Sequence, residues 1–152
     1  MPQVGATRGD TDGRNRIDRE VIDRYLEGFN EQDPTALPEV ATENVVVHGL
    51  FGVDGDVHGI DEYGEWAMSM LGGIPDANIE IEEYLEVGNR VTVRWTVTGT
   101  HQNDLFGLPP TEESFEITGL AIFRMEDGKI AEKWYQQDDL GMLQQTGVVE
   151  AI

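Results

Sequence analysis

Apolar residues near the start of the chain recur at helical intervals. Ile17, Val21, Ile22, Tyr25, Leu26 and Phe29 are three or four residues apart in turn, which puts them on one stripe of a helix. Asn15 is a suitable N-cap, and Asp18 falls in the first turn, where the helix dipole favours a carboxylate. Asn30 is an end signal. Asp33-Pro34 starts a short second helix, with Asp as cap and Pro at the first helical position, that packs Leu37 and Val40. Residues 44–48 (N-V-V-V-H) are a β-branched run and predict a strand, and the Gly- and Asp-rich segment 49–59 reads as loop. A third helix carries Ile60, Tyr63, Trp66, Ala67, Met70 and Leu71 on its apolar stripe and ends at Gly72-Gly73.

From Ala77 onward the period drops to two. Ile79 and Ile81 alternate with Glu80 and Glu82 in a strand that runs to Val87, and Gly88-Asn89 suits a tight turn. Strands follow over 91–101, 115–125 and 130–137, the last two joined at Asp127-Gly128. Residues 138–146 read as a short closing helix. Segregated helices followed by consecutive hairpins indicate an α+β fold, with three helices in the N-terminal half. Residues 1–14 read as a flexible acidic tail and 15–152 as a single domain, a size that buries a sizeable core.

Charge narrows the function classes. Thirty acidic residues face ten basic ones, only Lys129 and Lys133 are lysines, and the net charge is -20. Like-charge repulsion argues against nucleic acid or an anionic membrane as partner. Such acidity fits either disorder or a surface adapted to high salt. The periodic apolar segments argue against disorder, so a halophilic source is the expectation. The chain has no cysteine, hence no disulfide and no thiolate metal site. No apolar run approaches the ~20 residues of a membrane helix, and the first fifteen residues carry no leader-like apolar stretch; a soluble, cytoplasmic protein is expected. Phosphate-loop, dinucleotide and G-x-S-x-G patterns do not occur, and His48, His58 and His101 have no metal-ligand spacing, so no metal is expected.

Several segments together resemble the SnoaL-like polyketide cyclases, also called ester cyclases, of the nuclear-transport-factor-2-like superfamily. They are G-I-P-D (73–76), G-T-H (99–101), G-L-P-P-T (107–111), F-R-M-E-D-G-K-I (123–130) and W-Y-Q-Q-D-D-L-G-M-L-Q-Q-T-G (134–147), with R-Y-L-E-G-F-N-E-Q-D (24–33) matching more weakly. The resemblance implies a cone: a curved antiparallel sheet wrapped around a small-molecule pocket and closed by helices. It also implies homo-oligomers and, in the best-studied relatives, an intramolecular aldol-type ring closure without metal or cofactor. There an aspartate acts as acid/base with a histidine nearby. The aspartate position of the closing D-x-x-G-x-L-x-Q-x-G is Asp138 here, whereas the histidine position, three residues before Arg124, holds Ala121, and the neighbouring pocket position is Gly119.

Strand parity groups Trp134, Gln136 and Asp138 on one face; if Trp134 lines the cavity, so does Asp138, beside apolar rings that would raise its pKa into the range of a general base. His48, at the end of the first strand, could supply the missing acid/base partner from the opposite wall. Trp66, Tyr63, Phe123 and Gln136 join Trp134 as expected pocket lining, and the resemblance places His101 near the mouth of the cone. Arg94 and Trp95 must point to opposite faces, and either could be inside. Three readings remain open. In the first, the chain is a cofactor-free enzyme acting through Asp138 on a small apolar carbonyl or ester compound, by cyclisation, isomerisation or hydrolysis. In the second, it is a binding module for a small hydrophobic metabolite, with space left at Ala121 and Gly119. In the third, it is an interaction protein that assembles with copies of itself.

Overall fold

The stripe centred on Ile22 and Leu26 lies on helix α1, Gly9–Asn30, in a computed structural model that describes residues 9–150. The helix starts earlier than the apolar pattern indicates. Residues 9–14, read as tail, belong to it, while residues 1–8 lie outside the described residues. Periodicity could not detect these first turns because they carry no apolar stripe. Ile22 is fully buried, whereas Ile17, counted in the stripe, is exposed.

The chain continues through α2 (Ala36–Val40), β1 (Ala41–His48), β2 (Val57–His58), α3 (Ile60–Gly73), β3 (Asn78–Val87), β4 (Arg90–Thr100), β5 (Ser114–Glu126), β6 (Lys129–Gln137) and α4 (Asp139–Gln145). The strands form one curved sheet in the order β2-β1-β6-β5-β4-β3. Two features depart from the expected antiparallel sheet. The segment 49–59 is not all loop, because Val57–His58 pairs antiparallel with β1, and β1 runs parallel to β6. The connection between these two parallel strands is long, as such a crossover requires, and contains β2, α3 and β3 to β5.

Turn chemistry sets the hairpins. Asp127 and Gly128 both have positive φ, 51° and 77°, as a type I′ turn between twisted strands demands. Three strands break the regular pairing: β1 does so between Ala41 and Val46, and two others carry an extra residue. In β3 the pairing slips between Ile81 and Glu83, and in β6 it slips at Ala131, since Met125 pairs with Ile130 but Arg124 with Glu132. Bulges bend the strand that holds them, and they reverse the inside–outside alternation beyond them.

The concave face packs Val91, Val93, Trp95 and Val97 of β4 and Phe115 and Phe123 of β5 against Ile22 and Leu26 of α1 and Tyr63, Trp66 and Met70 of α3, in one apolar cluster. Helix α1 is tied to the sheet at its last residue. The Asn30 amide donates to the Ile79 carbonyl (2.9 Å) and accepts from the Ile79 N–H (2.7 Å). Asp76, from the G-I-P-D segment, accepts from both the N–H and the hydroxyl of Thr100 at 2.8 Å and so fixes the end of β4. Among the described residues no helix is long and apolar enough to cross a membrane.

Candidate functional site

The bulge at Ala131 decides which side chains of β6 reach the interior. Ile130 and Ala131 are both buried, and beyond them Lys133, Tyr135 and Gln137 face the cone while Glu132, Trp134 and Gln136 face outward. Trp134, Gln136 and Asp138 do share one direction, as parity requires, but it is the outer one. On β4 Trp95 points inward and is 3% exposed, whereas Arg94 is outside and bonded to Glu83 (3.0 Å).

The interior holds a cavity walled by Tyr25 and Phe29 of α1, Trp66 of α3, Trp95 of β4, Phe123 of β5 and, from β6, the three inward residues. Within it about 40 Å³ is open to the centres of water-sized atoms. Trp66 and Phe123 are where the sequence places them, in its wall. Tyr63 is buried beside it and lines a second cavity of about 70 Å³ between α1, α2 and α3, which shares Tyr25, Phe29 and Trp66 with the first.

Gly119 and Ala121 do not leave vacant space. A Cβ built on Gly119 would lie 2.5 Å from the Trp95 indole, so that ring occupies the place where a larger residue would stand. The indole donates from Nε1 to Gln137 Oε1 (3.1 Å), and Gln137 Nε2 donates to Asp139 Oδ1 (3.3 Å). Trp95, Gln137 and Asp139 thus form a polar chain from the sheet to the start of α4. Burial pushes the Asp139 carboxyl up to about 6; the Gln137 hydrogen bond opposes this and the charge of neighbouring Asp138 adds to it. Tyr135, also buried, is held well above the ordinary phenol range, first by burial and then by the charge of Asp139.

Asp138 itself is exposed and caps α4, accepting from the Gly141 N–H at 2.9 Å. Its neighbour carries the perturbed carboxyl because the chain turns from strand to helix between the two. Sequence reasoning missed Asp139, Lys133, Tyr135 and Gln137 for one reason: the Ala131 bulge, which inverts the face and has no strong signature in the sequence.

Lys133 is 4% exposed, and its ammonium donates to the hydroxyls of Tyr25 (2.7 Å) and Tyr63 (3.2 Å), which are also hydrogen-bonded to each other. Burial, followed by the proximity of Tyr25, holds the Tyr63 phenol well above its ordinary range. His101 is buried where β4 ends, not at an open mouth. Its backbone pairs with Glu113 and Glu112, its Nε2 lies 3.3 Å from the Leu108 carbonyl, and Nδ1 has no hydrogen-bond partner. Among the described residues no three His, Asp or Glu side chains converge as metal ligands.

The remaining expected site residues come together on the outer face. His48, Trp134 and Gln136 border a shallow hollow with Leu120 and Ile122, and the His48 ring stacks on Trp134 at 5.4 Å. His48 is therefore not across the cavity from the carboxylates. It lies between Asp56 (Nδ1, 2.9 Å) and Glu132 (Nε2, 2.7 Å), and Glu132 also accepts from Arg124 (3.2 Å). The Glu132 hydrogen bond is the main cause that raises the His48 pKa, against partial burial, and His48 in turn is the main cause that lowers the pKa of Glu132. A raised histidine binds its proton more tightly folded than unfolded. Its stabilisation is whole below the unfolded value of ~6.5 and is lost as pH rises through the folded value. His48→Gln should accordingly cost on the order of 1 kcal/mol near pH 6 and little in alkaline solution. Thermal melts across that range check this, and a cost independent of pH would show that the histidine acts by packing alone.

Residues 19–146 match the family of SnoaL-like polyketide cyclases, and the chain belongs to that family. Among solved structures it is similar to a SnoaL-like protein of Jannaschia sp. CCS1 (20% identity, 88% of this chain and 94% of that one, TM-score 0.80). It is also similar to TsrD of Streptomyces laurentii (21%, 95% and 100%, TM-score 0.78) and to IdmH of Streptomyces antibioticus (27%, 86% and 98%, TM-score 0.74). No functionally curated protein matches the chain.

Proposed function

We propose that the chain is a cofactor-independent enzyme in which Asp139 acts as acid/base on a small apolar carbonyl or ester compound held in the cone. One observation carries this reading: a half-buried carboxyl, pushed up to about 6 and tethered through Gln137 to the Trp95 wall of the cavity. A base whose pKa lies near the working pH is matched to removing a proton next to a carbonyl. The carboxylate takes that proton, and the electrons of the broken C–H bond move to the carbonyl oxygen as an enolate. The enolate carbon then attacks a second carbonyl of the same molecule, whose oxygen takes the proton back from Asp139 as the ring closes, or the proton returns from Asp139 to another carbon, which isomerises the compound. Membership of a cyclase family and the likeness to IdmH, a candidate polyketide cyclase, support the same class of reaction. The test is exchange of the α-proton of an aryl β-keto ester in D2O, followed by NMR. Catalysed exchange whose rate rises through about pH 6 is expected; no exchange above buffer would refute the reading.

A second reading, binding without turnover, has one observation in its favour. Asp138 accepts only from a backbone N–H, with no titratable group within hydrogen-bond reach among the described residues.

Self-association is supported by the outer face, where Leu120 (44% exposed) and Ile122 (40%) pair across β5–β6 with Gln136 and Trp134. An apolar, sheet-borne patch of this kind suits a second copy of the same surface. Sedimentation should find a dimer that Leu120→Glu with Ile122→Glu converts to monomer; a monomeric parent protein would end this proposal.

A further inference from the structure

Lys133 is a buried cation in a chain with thirty acidic residues, yet none of the described carboxylates lies within ion-pair distance of it. Its surroundings are rings. Nζ lies 4.8 Å from the centroid of Tyr135, 4.9 Å from Tyr25, 5.2 Å from Phe123, 5.7 Å from Trp95 and 5.8 Å from Tyr63. An ammonium within ~6 Å of several π-faces is attracted to each, which compensates part of the hydration lost on burial. Compensation is incomplete, because rings and phenols bring no negative charge; Tyr63 in particular remains a neutral phenol. An ammonium has three N–H donors. Two go to Tyr25 and Tyr63, and the third has no acceptor among the described residues. Lys133 also lines the cavity, so a ligand there can reach it. An unpaired buried charge of this kind is costly unless something of opposite sign completes it.

We infer that Lys133, held by the Tyr25 and Tyr63 hydroxyls inside the aromatic cage, is a subsite for one anionic oxygen of an otherwise apolar ligand. The ligand's body packs on Trp95, Phe123 and Trp66, and its carboxylate or enolate oxygen takes the free donor of the ammonium. The inference deepens the proposed function by placing it in the same cavity. An enolate formed by proton loss to Asp139 would have its oxygen stabilised at Lys133, because a positive group fixed where negative charge develops lowers the barrier to its formation. The surface charge of -20 works against entry of any anion, so a preference for the anion would report the local subsite rather than the general field.

The chain has only two lysines, which makes the test direct. Lys129 is exposed and Lys133 is buried, so lysine labelled at Cε and Nζ gives two signals, one of them inside the cavity. Phenylacetate and its methyl ester form one arm, and the enolate of 1,3-cyclohexanedione and its methyl enol ether the other. Saturable movement of the Lys133 signal with Lys129 unmoved is expected, with the anion binding at least about tenfold more tightly than its neutral counterpart. A response to phenylacetate alone assigns the subsite to carboxylates, and to the diketone alone, to enolates. Lys133→Met should abolish the preference, and Asp139→Asn should keep it. Equal binding of neutral and anionic partners, or a Lys133 signal that does not move while cavity tryptophan fluorescence saturates, overturns the inference. These readouts need no turnover. A protein that prefers anions but fails to exchange α-protons would lose only the proposed reaction, and the reverse result would lose only this subsite.

Discussion

Asp139→Asn is expected to abolish turnover and to make the protein more stable. The two effects share a cause. Burial raises the folded pKa from the usual 3.8 to about 6, so the ionised carboxylate is less favourable in the folded protein than in the unfolded chain. For an acid shifted upward, stability falls as pH rises from the unfolded value through the folded one. Asparagine cannot ionise, so the variant's advantage should be absent below about pH 4, grow to about pH 6 and then level off. At neutral pH it should reach on the order of 1–2 kcal/mol after allowance for solvent screening, a rise in Tm of about 2–8 °C for a chain of this size. Loss of a general base should slow α-proton exchange by a factor of about 100 or more. Asp138→Asn is the control. Asparagine caps a helix as well as aspartate does, so exchange and melting should change little. If exchange is lost in the Asp138 variant and kept in the Asp139 variant, the acid/base assignment belongs to the cap residue.

Gly119→Val should damage both the packing of the sheet and the proposed site. The new Cβ would stand 2.5 Å from the Trp95 indole, well inside contact distance, and the ring also packs on Tyr135, with centroids 5.7 Å apart. Valine favours a strand, but that gain of at most ~1 kcal/mol is smaller than the ~1–3 kcal/mol typical of overpacking. A fall in Tm of several degrees is expected. Displacing the indole also breaks its bond to Gln137, which loosens the group that holds Asp139. The Gln137–Asp139 hydrogen bond holds the Asp139 pKa down against burial, so the activity profile of Gly119→Val should shift to higher pH. Wild-type melting with an unshifted profile would show that Trp95 can leave the site without consequence.

The sequence made the elements legible wherever burial follows a regular period. The stripes of α1 and α3, the alternation along β4 and β5 and the Asp127-Gly128 turn are local patterns, and the structure follows them. The first turns of α1 were not legible, because a polar helix end has no stripe. The short β2 was hidden in a Gly-rich segment, because two residues are too few to show a period. The site was legible in part. Trp66 and Phe123 could be placed because α3 and β5 keep one register throughout. Everything after Ala131 was placed on the wrong side, because one extra residue exchanges the two faces of β6. Lys133, Tyr135 and Gln137 therefore took the interior places expected for Trp134 and Gln136, and the carboxyl raised by burial is that of Asp139 rather than Asp138. Trp95 filled the gap that Gly119 and Ala121 suggested, a compensation between strands that no single segment reveals.

The Asn30 clamp has a consequence for how the molecule meets its neighbours. β3 is a border strand, and the free N–H and C=O groups of a border invite another chain to continue the ladder, the first step toward fibrous aggregation. At Ile79 both groups are already taken by the Asn30 amide, so an incoming strand finds the position occupied. Glu80, Glu82, Glu83 and Glu86 line the same border with negative charge and repel a like strand. Growth of the sheet in that direction is thus blocked by one amide and a row of carboxylates.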